Sequence, residues 1–204
     1  MITIINYGLG NIRAFTNIYK KLDIPVKIAQ SVVDLTDVSK LILPGVGAFD
    51  HAMEQLEQSG MRQRLDELVV QNKVPVVGIC VGMQMLAHSS DEGKLPGLGW
   101  IDGSVKKFAG SKISYSTHLP HMGWNDVKPV KKNDLLTGLE NDAKFYFLHS
   151  YYFHCNNIED TIATTDYGIE FSCAVNKNNI YGVQFHPEKS HQYGIQLLNN
   201  FAKL

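Results

Sequence analysis

The stretch Val76-Val77-Gly78-Ile79-Cys80-Val81-Gly82-Met83-Gln84 decides the fold of this chain. Its β-branched residues are typical of a buried strand, and the residues after Cys80 begin a helical pattern. Glycines stand two positions before and two positions after the cysteine. A tight turn from a strand into a helix strains its central residue and leaves no room for a Cβ on its neighbours. The spacing therefore predicts a nucleophile elbow with Cys80 at its tip.

A cysteine at such a turn is chemically favoured as a nucleophile. The dipole of the following helix stabilises a thiolate, and the backbone N–H groups after the cysteine can bind an oxyanion. The alternative is that Cys80 is only a small buried residue at a helix–sheet contact, which is the commoner situation for a cysteine. The flanking glycines favour the catalytic interpretation. Cys155 and Cys173 lie in strand-like stretches without such glycines, so neither is assigned a catalytic role.

The first half of the chain alternates short apolar runs with helical patterns, which is typical of parallel strands joined by crossover helices. The predicted strands of this half are residues 2–5, 26–28, 41–43 and 76–79. The apolar residues at helical spacing are Ile12, Phe15, Ile18, Tyr19 and Leu22, then Phe49, Met53 and Leu56, then Leu65, Leu68 and Val69. We predict that these helices cover the sheet.

After about Gly93 the pattern changes to short strands separated by Gly, Pro, Asn and Asp clusters. The predicted strands of this half are residues 105–108, 125–127, 145–148, 161–164, 172–175 and 180–185. A helical tail with Leu197, Leu198 and Phe201 is expected to dock back on the sheet. Together, the two halves predict a three-layer α/β fold in which helices flank a mostly parallel, mixed central sheet.

Length and composition narrow the class of protein. A chain of 204 residues can bury about two-thirds of its unfolded surface in one core, so residues 1–204 are expected to form a single domain. The formal net charge of -1 would not concentrate nucleic acid or an acidic membrane, and neither partner is expected. Three cysteines without a C-x-x-C pair fit a reducing cytoplasm. No signal peptide or membrane span is recognised.

A candidate base and acid follow the last predicted strand, in Gln184-Phe185-His186-Pro187-Glu188. Proline disfavours the α region for the preceding residue, so His186 is expected to be extended, with Glu188 on the same side. The carboxylate can then fix the imidazole tautomer and stabilise its protonated form. Cys80, His186 and Glu188 are the predicted catalytic triad. The alternative is an ordinary histidine followed by a solvated acid.

The eight histidines also raise the question of a metal site. The two candidate pairs are His118 with His121 and His149 with His154. Neither pair is accompanied by further ligands at a recognisable spacing, so we predict no metal site, and no cofactor is expected.

The segments around Cys80 and His186 resemble those of the class I glutamine amidotransferases. The other matching segments are Asn6-Tyr7-Gly8-Leu9-Gly10-Asn11, Pro44-Gly45-Val46-Gly47-Ala48-Phe49, Pro120-His121-Met122-Gly123-Trp124-Asn125 and His149-Ser150-Tyr151-Tyr152. In this order, and over essentially the whole chain, the set is similar to the glutaminase subunits of imidazole glycerol phosphate synthases, which act in histidine biosynthesis. The resemblance implies the flavodoxin-like class I amidotransferase fold and an enzyme with glutamine as its substrate.

The resemblance also implies roles for individual residues. Cys80 would attack the side-chain amide of glutamine, His186 would carry the proton to the leaving ammonia, and Glu188 would orient His186. The positions that match substrate contacts in the family are Gln84, Glu92, Gly45, Gly47, Val81, Ser150 and Tyr151. Among them, residues 44–47 match the strand that completes the oxyanion hole. Glu92 supplies the charge that the ammonium group of glutamine requires, unless it is only a solvated loop acid.

The family further implies a partner. Its members form heterodimers with a (β/α)8-barrel cyclase, which uses the channelled ammonia to make imidazole glycerol phosphate and aminoimidazole-carboxamide ribonucleotide. Asn11, Trp124 and Lys189 match positions at the subunit interface and ammonia entrance, although Trp124 could also be a core aromatic and Lys189 a solvated charge. Because released ammonia would be protonated and diluted, we expect the isolated subunit to be slow and its loaded partner to activate it.

Three other functions are consistent with parts of the sequence. A paralogous subunit could supply ammonia for the amidination of a surface sugar, since nothing in these residues names the acceptor. A non-catalytic partner protein could keep the fold, but the intact triad disfavours it. A peptidase or γ-glutamyl hydrolase could use the same elbow, and the glutamine-contact residues speak against that alternative.

Overall fold

The computed structural model describes residues 1–109, 111, 113 and 119–204. Its strands are β1 Ile2–Ile5, β2 Val26–Ala29, β3 Lys40–Gly45, β4 Val76–Cys80, β5 Ser89–Ser90, β6 Gly103–Lys107, β7 His121–Asp126, β8 Lys128–Pro129, β9 Lys144–His149, β10 Tyr151–Cys155, β11 Thr161–Asp166, β12 Glu170–Lys177 and β13 Ile180–Val183. Its α-helices are α1 Ile12–Lys21, α2 Phe49–Gln58, α3 Arg62–Asp66, α4 Val81–Gln84 and α5 His191–Lys203. Short 3-10 turns occur at Val32–Leu35, Asp134–Leu136, Ile158–Asp160 and Pro187–Lys189, and a π-helical turn at Glu67–Gln71 continues α3.

The central part of the sheet is parallel. Its order is β2-β1-β3-β4-β13, and every neighbouring pair in this series runs in the same direction. All residues of β1 and β4 are buried. Successive side chains of a strand point to opposite faces, so both faces of these strands are covered. This double burial is why the strands occur in the sequence as continuous apolar runs.

Helices cover this sheet, and the last helix returns to the first. Tyr19 of α1 is fully buried, and its hydroxyl donates a hydrogen bond of 3.1 Å to the carbonyl of Leu198 in α5. Phe201 of α5 also packs against Tyr181 of β13, with 6.4 Å between the ring centres, so the helical tail docks on the sheet as predicted. In the part of the chain that the structure describes, helices with the length and apolar character needed to cross a bilayer are absent.

Beyond β13 the sheet continues with strands of the second half. β12, β10 and β6 follow in antiparallel pairing, and β5 adds to β6 in parallel. β11 pairs with β12 and also with β8. The result is a mixed sheet with flanking helices, as predicted for the fold class.

Several strands of the second half differ from the predicted ones. The strand predicted at 125–127 is β7, which begins at His121 and ends at Asp126, and the strand predicted at 180–185 ends at Val183. Strand β10 was not predicted. Strands with one exposed face have no continuous apolar run, so their limits are not marked by composition.

Strands β7 and β9 form a separate antiparallel ribbon. On its inner side His121 lies opposite His149, and on its outer side Met122 lies opposite Leu148. The outer residues Met122, Trp124 and Leu148 are 61%, 47% and 36% exposed. We call these three residues the ribbon face. It is an exposed apolar surface on the side of the ribbon opposite the buried His121 and His149.

Candidate active site

Cys80 is the last residue of β4, directly before α4. Its backbone has a φ of 55° and a ψ of -113°, a conformation that residues with a side chain rarely adopt. Backbone strain of this type costs on the order of 1–3 kcal/mol and is concentrated at functional sites. The predicted elbow is therefore present, with the cysteine at its strained position.

Glycines allow the backbones around the elbow to touch. A Cβ on Gly82 would lie 2.0 Å from the carbonyl oxygen of Leu43, and a Cβ on Gly78 would lie 2.5 Å from the carbonyl oxygen of Gly82. A Cβ on Gly45, in the neighbouring strand β3, would lie 2.4 Å from the nitrogen of Gly82. These separations are shorter than van der Waals contact, so each of the three positions requires glycine.

His186 follows β13 in an extended conformation, with φ -103° and ψ 92°. Its Nδ1 is 2.9 Å from Oε1 of Glu188, and both side chains are almost fully buried. Burial lowers the pKa of His186, but its hydrogen bonds to Cys80 and Glu188 and the negative charges of both groups raise that pKa to about 10. The charged form of His186 is therefore favoured at neutral pH, with Cys80 on one side of the ring and Glu188 on the other.

The other two cysteines have a different environment. Burial raises the pKa of Cys155 and of Cys173 above the ordinary value for a thiol. A buried thiol of this kind stays protonated and unreactive. Cys80 differs from both in its position, because it lines the cavity described below and they do not.

The elbow opens into a cavity of about 510 Å³. It is lined by Val46, Gly47, Cys80, Val81, Gln84, Glu92, Lys107, Leu119, Pro120, Leu148, His149, Ser150, Tyr151, His186 and Lys189. A volume of this order suits a small-molecule substrate. The cavity brings a nucleophile, a histidine, an amide and an acid together around one open pocket.

Gln84 and Glu92 are both anchored by the surrounding backbone. Gln84 Nε2 donates a hydrogen bond of 3.1 Å to the carbonyl of Tyr151. Glu92 Oε2 accepts one of 2.9 Å from the backbone N–H of Phe49, the first residue of α2. One oxygen of Glu92 therefore caps a helix, which positions the carboxylate at the edge of the cavity.

A second buried feature of the site is a pair of histidines on the ribbon. His121 Nδ1 is 3.0 Å from His149 Nε2, and His149 Nδ1 is 2.7 Å from the carbonyl oxygen of Tyr151. A carbonyl only accepts, so His149 donates from Nδ1 and His121 donates from Nδ1 to His149 Nε2. Asn125 Nδ2 completes the chain at 3.2 Å from His121 Nε2. Both imidazoles are neutral in this arrangement.

Their surroundings keep these two histidines neutral. Burial lowers the pKa of His121 to about 4. Burial, together with the neighbouring His121, lowers the pKa of His149 to about 3, and the hydrogen bond to Tyr151 only partly offsets this.

Residues 3–204 match the family model described as glutamine amidotransferase class-I. The chain belongs to the class I glutamine amidotransferases.

Relatives within this amidotransferase family are similar over the full length. The chain is 59% identical to the imidazole glycerol phosphate synthase subunit HisH of Bdellovibrio bacteriovorus, covering 100% of both chains. It is 50% identical to the protein of the same name from Leptospira borgpetersenii, again over 100% of both, and 44% identical to HisH 2 of Pseudomonas aeruginosa with the same coverage. The resemblance seen in the sequence is confirmed.

Solved structures show the same amidotransferase fold at low identity. A putative GMP synthase component from Thermoplasma acidophilum aligns with a TM-score of 0.73 at 21% identity, over 99% of this chain and 92% of that one. PurLQS from Thermotoga maritima aligns with a TM-score of 0.74 at 13% identity, over 99% and 97%.

Most of the predicted site residues of this amidotransferase come together. The predicted residues on the cavity wall are Cys80, His186, Gln84, Glu92, Gly47, Val81, Ser150, Tyr151 and Lys189. Glu188 and Gly45 lie behind that wall, where they contact His186 and the elbow. Asn11 and Trp124 lie outside the cavity, and both are exposed.

The histidine pairs considered for a metal have other environments. His149 is buried against His121, whereas His154 is exposed, and His118 lies outside the described residues. Among the residues that the structure describes, no three His, Cys, Asp or Glu side chains are grouped so that they could hold a metal ion.

Two features of the site were not predicted from the sequence. The neutral pair His121 and His149 joins residues 28 positions apart, and Gln184 contacts both Gln84 and Cys80. Each of these residues lies in a segment that matches the amidotransferase family, and that match is the signal in the sequence that marks them as site residues. Their contacts depend on how the strands are paired, which the spacing does not contain.

Proposed function

We propose that this chain is the glutaminase subunit of an imidazole glycerol phosphate synthase. It hydrolyses glutamine to glutamate and passes the ammonia to a (β/α)8-barrel cyclase that makes imidazole glycerol phosphate and aminoimidazole-carboxamide ribonucleotide. The observation that carries the chemistry is the arrangement at the elbow, where Cys80 and His186 share the cavity wall and His186 Nδ1 is 2.9 Å from Oε1 of the buried Glu188. The pKa of His186, raised to about 10 against the opposing effect of burial, agrees with this arrangement. The names of the full-length relatives support the acceptor pathway.

Each step of the proposed hydrolysis is assigned to a residue at or behind the cavity wall. The thiolate of Cys80 attacks the side-chain carbonyl carbon of glutamine, and the developing oxyanion faces backbone N–H groups near Val81 and Gly47. The imidazolium of His186 transfers its proton to the leaving nitrogen, which departs as ammonia. Water then attacks the thioester while neutral His186 takes its proton, and glutamate and the Cys80 thiolate are released. Glu188 holds the imidazole in place throughout.

Anchored groups around the cavity bind the amino-acid end of glutamine in this proposal. Gln84 uses its Nε2 for the Tyr151 carbonyl, so its Oε1 is available to accept a hydrogen bond from the substrate. Glu92 supplies negative charge for the α-ammonium group. Ser150 and Tyr151, which also line the cavity next to Gln84, offer backbone contacts.

The proposed cyclase interface is built on the ribbon face. Met122, Trp124 and Leu148 are exposed apolar side chains, and Leu148 also lines the cavity. A partner bound here would cover the cavity mouth, which direct ammonia transfer requires. Lys189 lies at the cavity wall with its Nζ 5.6 Å from the ring centre of Tyr146, and we place Asn11 and Lys189 at the edge of the same interface. We further propose a single domain, a heterodimer and a cytoplasmic location.

The decisive experiment measures glutamate release by the purified chain, alone and with a barrel cyclase that carries its ribonucleotide ligand. Strong stimulation by the loaded cyclase would support the glutaminase and its histidine-pathway partner together. If a glutamine analogue alkylates Cys80 but this cyclase gives no stimulation, the partner is wrong, and a cyclase of surface-sugar amidination is tested next. If Cys80 resists the analogue as well, the catalytic assignment is wrong.

A further inference from the structure

Gln184 is a fully buried side chain next to the reacting sulfur. Its Nε2 lies 3.8 Å from Cys80 Sγ, and its Oε1 is 3.1 Å from Gln84 Nε2. Gln184 is not part of the cavity wall. It therefore contacts the nucleophile without facing the space where a substrate would bind.

The orientation of this amide follows from its neighbours. The carbonyl of Tyr151 can only accept a hydrogen bond, so Gln84 turns its Nε2 toward Tyr151. The second hydrogen on the same nitrogen points to Gln184. Gln184 therefore presents its oxygen to Gln84 and its N–H group to the sulfur. The opposite orientation of Gln184 would place two N–H groups against each other.

The Tyr151 carbonyl, at which this series of hydrogen bonds begins, is itself held in place. The Tyr151 carbonyl accepts from Gln84 Nε2 and also from His149 Nδ1, at 2.7 Å. Two donors satisfy both lone pairs of a carbonyl oxygen. Because His149 is neutral and buried, this second bond holds at neutral pH. The series Tyr151, Gln84, Gln184 thus ends in one donor aimed at Cys80.

We propose that Gln184 donates a hydrogen bond that stabilises the thiolate of Cys80 and fixes the position of its sulfur. This inference rests on the proposed function of the site as a glutaminase. A hydrogen bond to an anion is stronger than one between neutral groups. The donor therefore favours the thiolate over the neutral thiol, and it complements the positive charge of His186.

The substitution Gln184→Glu tests this role with little change of shape. The carboxylate can still accept from Gln84, but an oxygen replaces the N–H group that faces the sulfur. Gln196→Glu is the matched control, because it makes the same chemical change on α5, where Gln196 contacts Asn200. The rate of Cys80 alkylation by iodoacetamide is measured on the full chain from about pH 5 to about pH 10, with the Cys80 peptide followed by mass spectrometry.

In Gln184→Glu, the midpoint of the alkylation profile is expected to rise by about one pH unit, so that the rate below the midpoint falls about tenfold. Gln196→Glu is expected to match the unaltered chain. An unshifted midpoint in folded Gln184→Glu would overturn the proposal. Gln184→Met, which has neither donor nor acceptor, serves if the first variant does not fold. An upward shift is expected there too, and its absence would equally count against the donor role.

The same variants separate this inference from the proposed function. Alkylation needs neither glutamine nor a partner, so a shifted profile in a chain without glutaminase activity would reject the function and leave the donor role standing. An unshifted profile in a chain with glutaminase activity would reject the donor role of Gln184 and leave the proposed function standing. In the active complex, Gln184→Glu is expected to lower kcat with little change in KM. A change in KM alone would mean that Gln184 only shapes the pocket.

Discussion

Three buried histidines lie in one site, and one of them differs from the other two in charge. His186, His121 and His149 are all nearly inaccessible, with 3%, 3% and 6% exposure. The pKa of His186 is raised to about 10, whereas the pKa values of His121 and His149 are lowered to about 4 and about 3. His186 faces Cys80 and Glu188, which both raise its pKa, but the other two histidines face each other and a backbone carbonyl. The partners, and not the degree of burial, decide the charge.

The largest expected effect comes from Cys80→Ser, which removes the thiolate partner of His186. We expect glutamine-dependent synthesis by the reconstituted complex to fall by on the order of 10⁴-fold or more. Synthesis from added ammonium salts is expected to continue, because the proposed acceptor chemistry lies on the cyclase. Product formation from the two nitrogen sources is measured side by side. Loss of both activities would assign Cys80 a structural role.

The next largest effect is expected from a substitution of Glu188, the second partner of His186. Glu188→Gln keeps the shape of the side chain and removes its charge, so the pKa of His186 is expected to fall. Glutamine hydrolysis should decrease by roughly 10²- to 10⁴-fold, and the alkaline limb of the profile of kcat/KM against pH should move to lower pH. Glu140→Gln, at an exposed acid, is the control. An alkaline limb that stays in place would show that Glu188 does not set the charge of His186.

A smaller effect concerns stability against pH. The contribution of His121 and His149 is present above the ordinary histidine pKa of 6.5 and is lost as the pH falls toward about 4 and about 3. The contribution of His186 is fully present below 6.5 and is lost as the pH rises toward about 10. These three groups together therefore stabilise the fold most near pH 6.5.

Denaturant unfolding at a series of pH values measures this dependence. Below pH 6.5, each neutral histidine is expected to contribute a slope of up to about 1.4 kcal/mol per pH unit. His121→Gln should flatten the acid limb, whereas replacement of the exposed His51 should leave it unchanged. An identical acid limb in His121→Gln would mean that the histidine pair is not neutral in the folded state.

The smallest effect is expected at Trp124, which shares strand β7 with His121 but points outward. Its ring stacks on His191, with 5.2 Å between the ring centres. Trp124→Ala should weaken stimulation by the cyclase by about tenfold, while alkylation of Cys80 by a glutamine-like electrophile stays the same. Equal loss of both would instead indicate that Trp124 supports the packing of the ribbon.

The sequence predicted the site best where the information is local. The elbow depends on glycines within two residues of Cys80, and the orientation of Glu188 toward His186 depends on one proline between them. The parallel strands were also predictable, because both of their faces are buried. Local spacing was sufficient for these features.

The parts that were missed depend on distant strands. His121 and His149 become neighbours through the register of β7 with β9, and the direction of Gln184 is set by Gln84 and the Tyr151 carbonyl. Strand β10 was overlooked because its exposed residue His154 interrupts the apolar pattern. Pairing and register have no local signature in a single sequence.

The close backbone contacts at Gly45, Gly78 and Gly82 have a consequence for engineering. These contacts set where the backbone of Cys80 stands, so a side chain at any of the three glycine positions would displace the nucleophile. A designer who wants another substrate should leave these three codons untouched and randomise the loops around the cavity mouth. The backbone position of the nucleophile is fixed by this fold. Substrate selectivity is the property that substitutions in the surrounding loops can change.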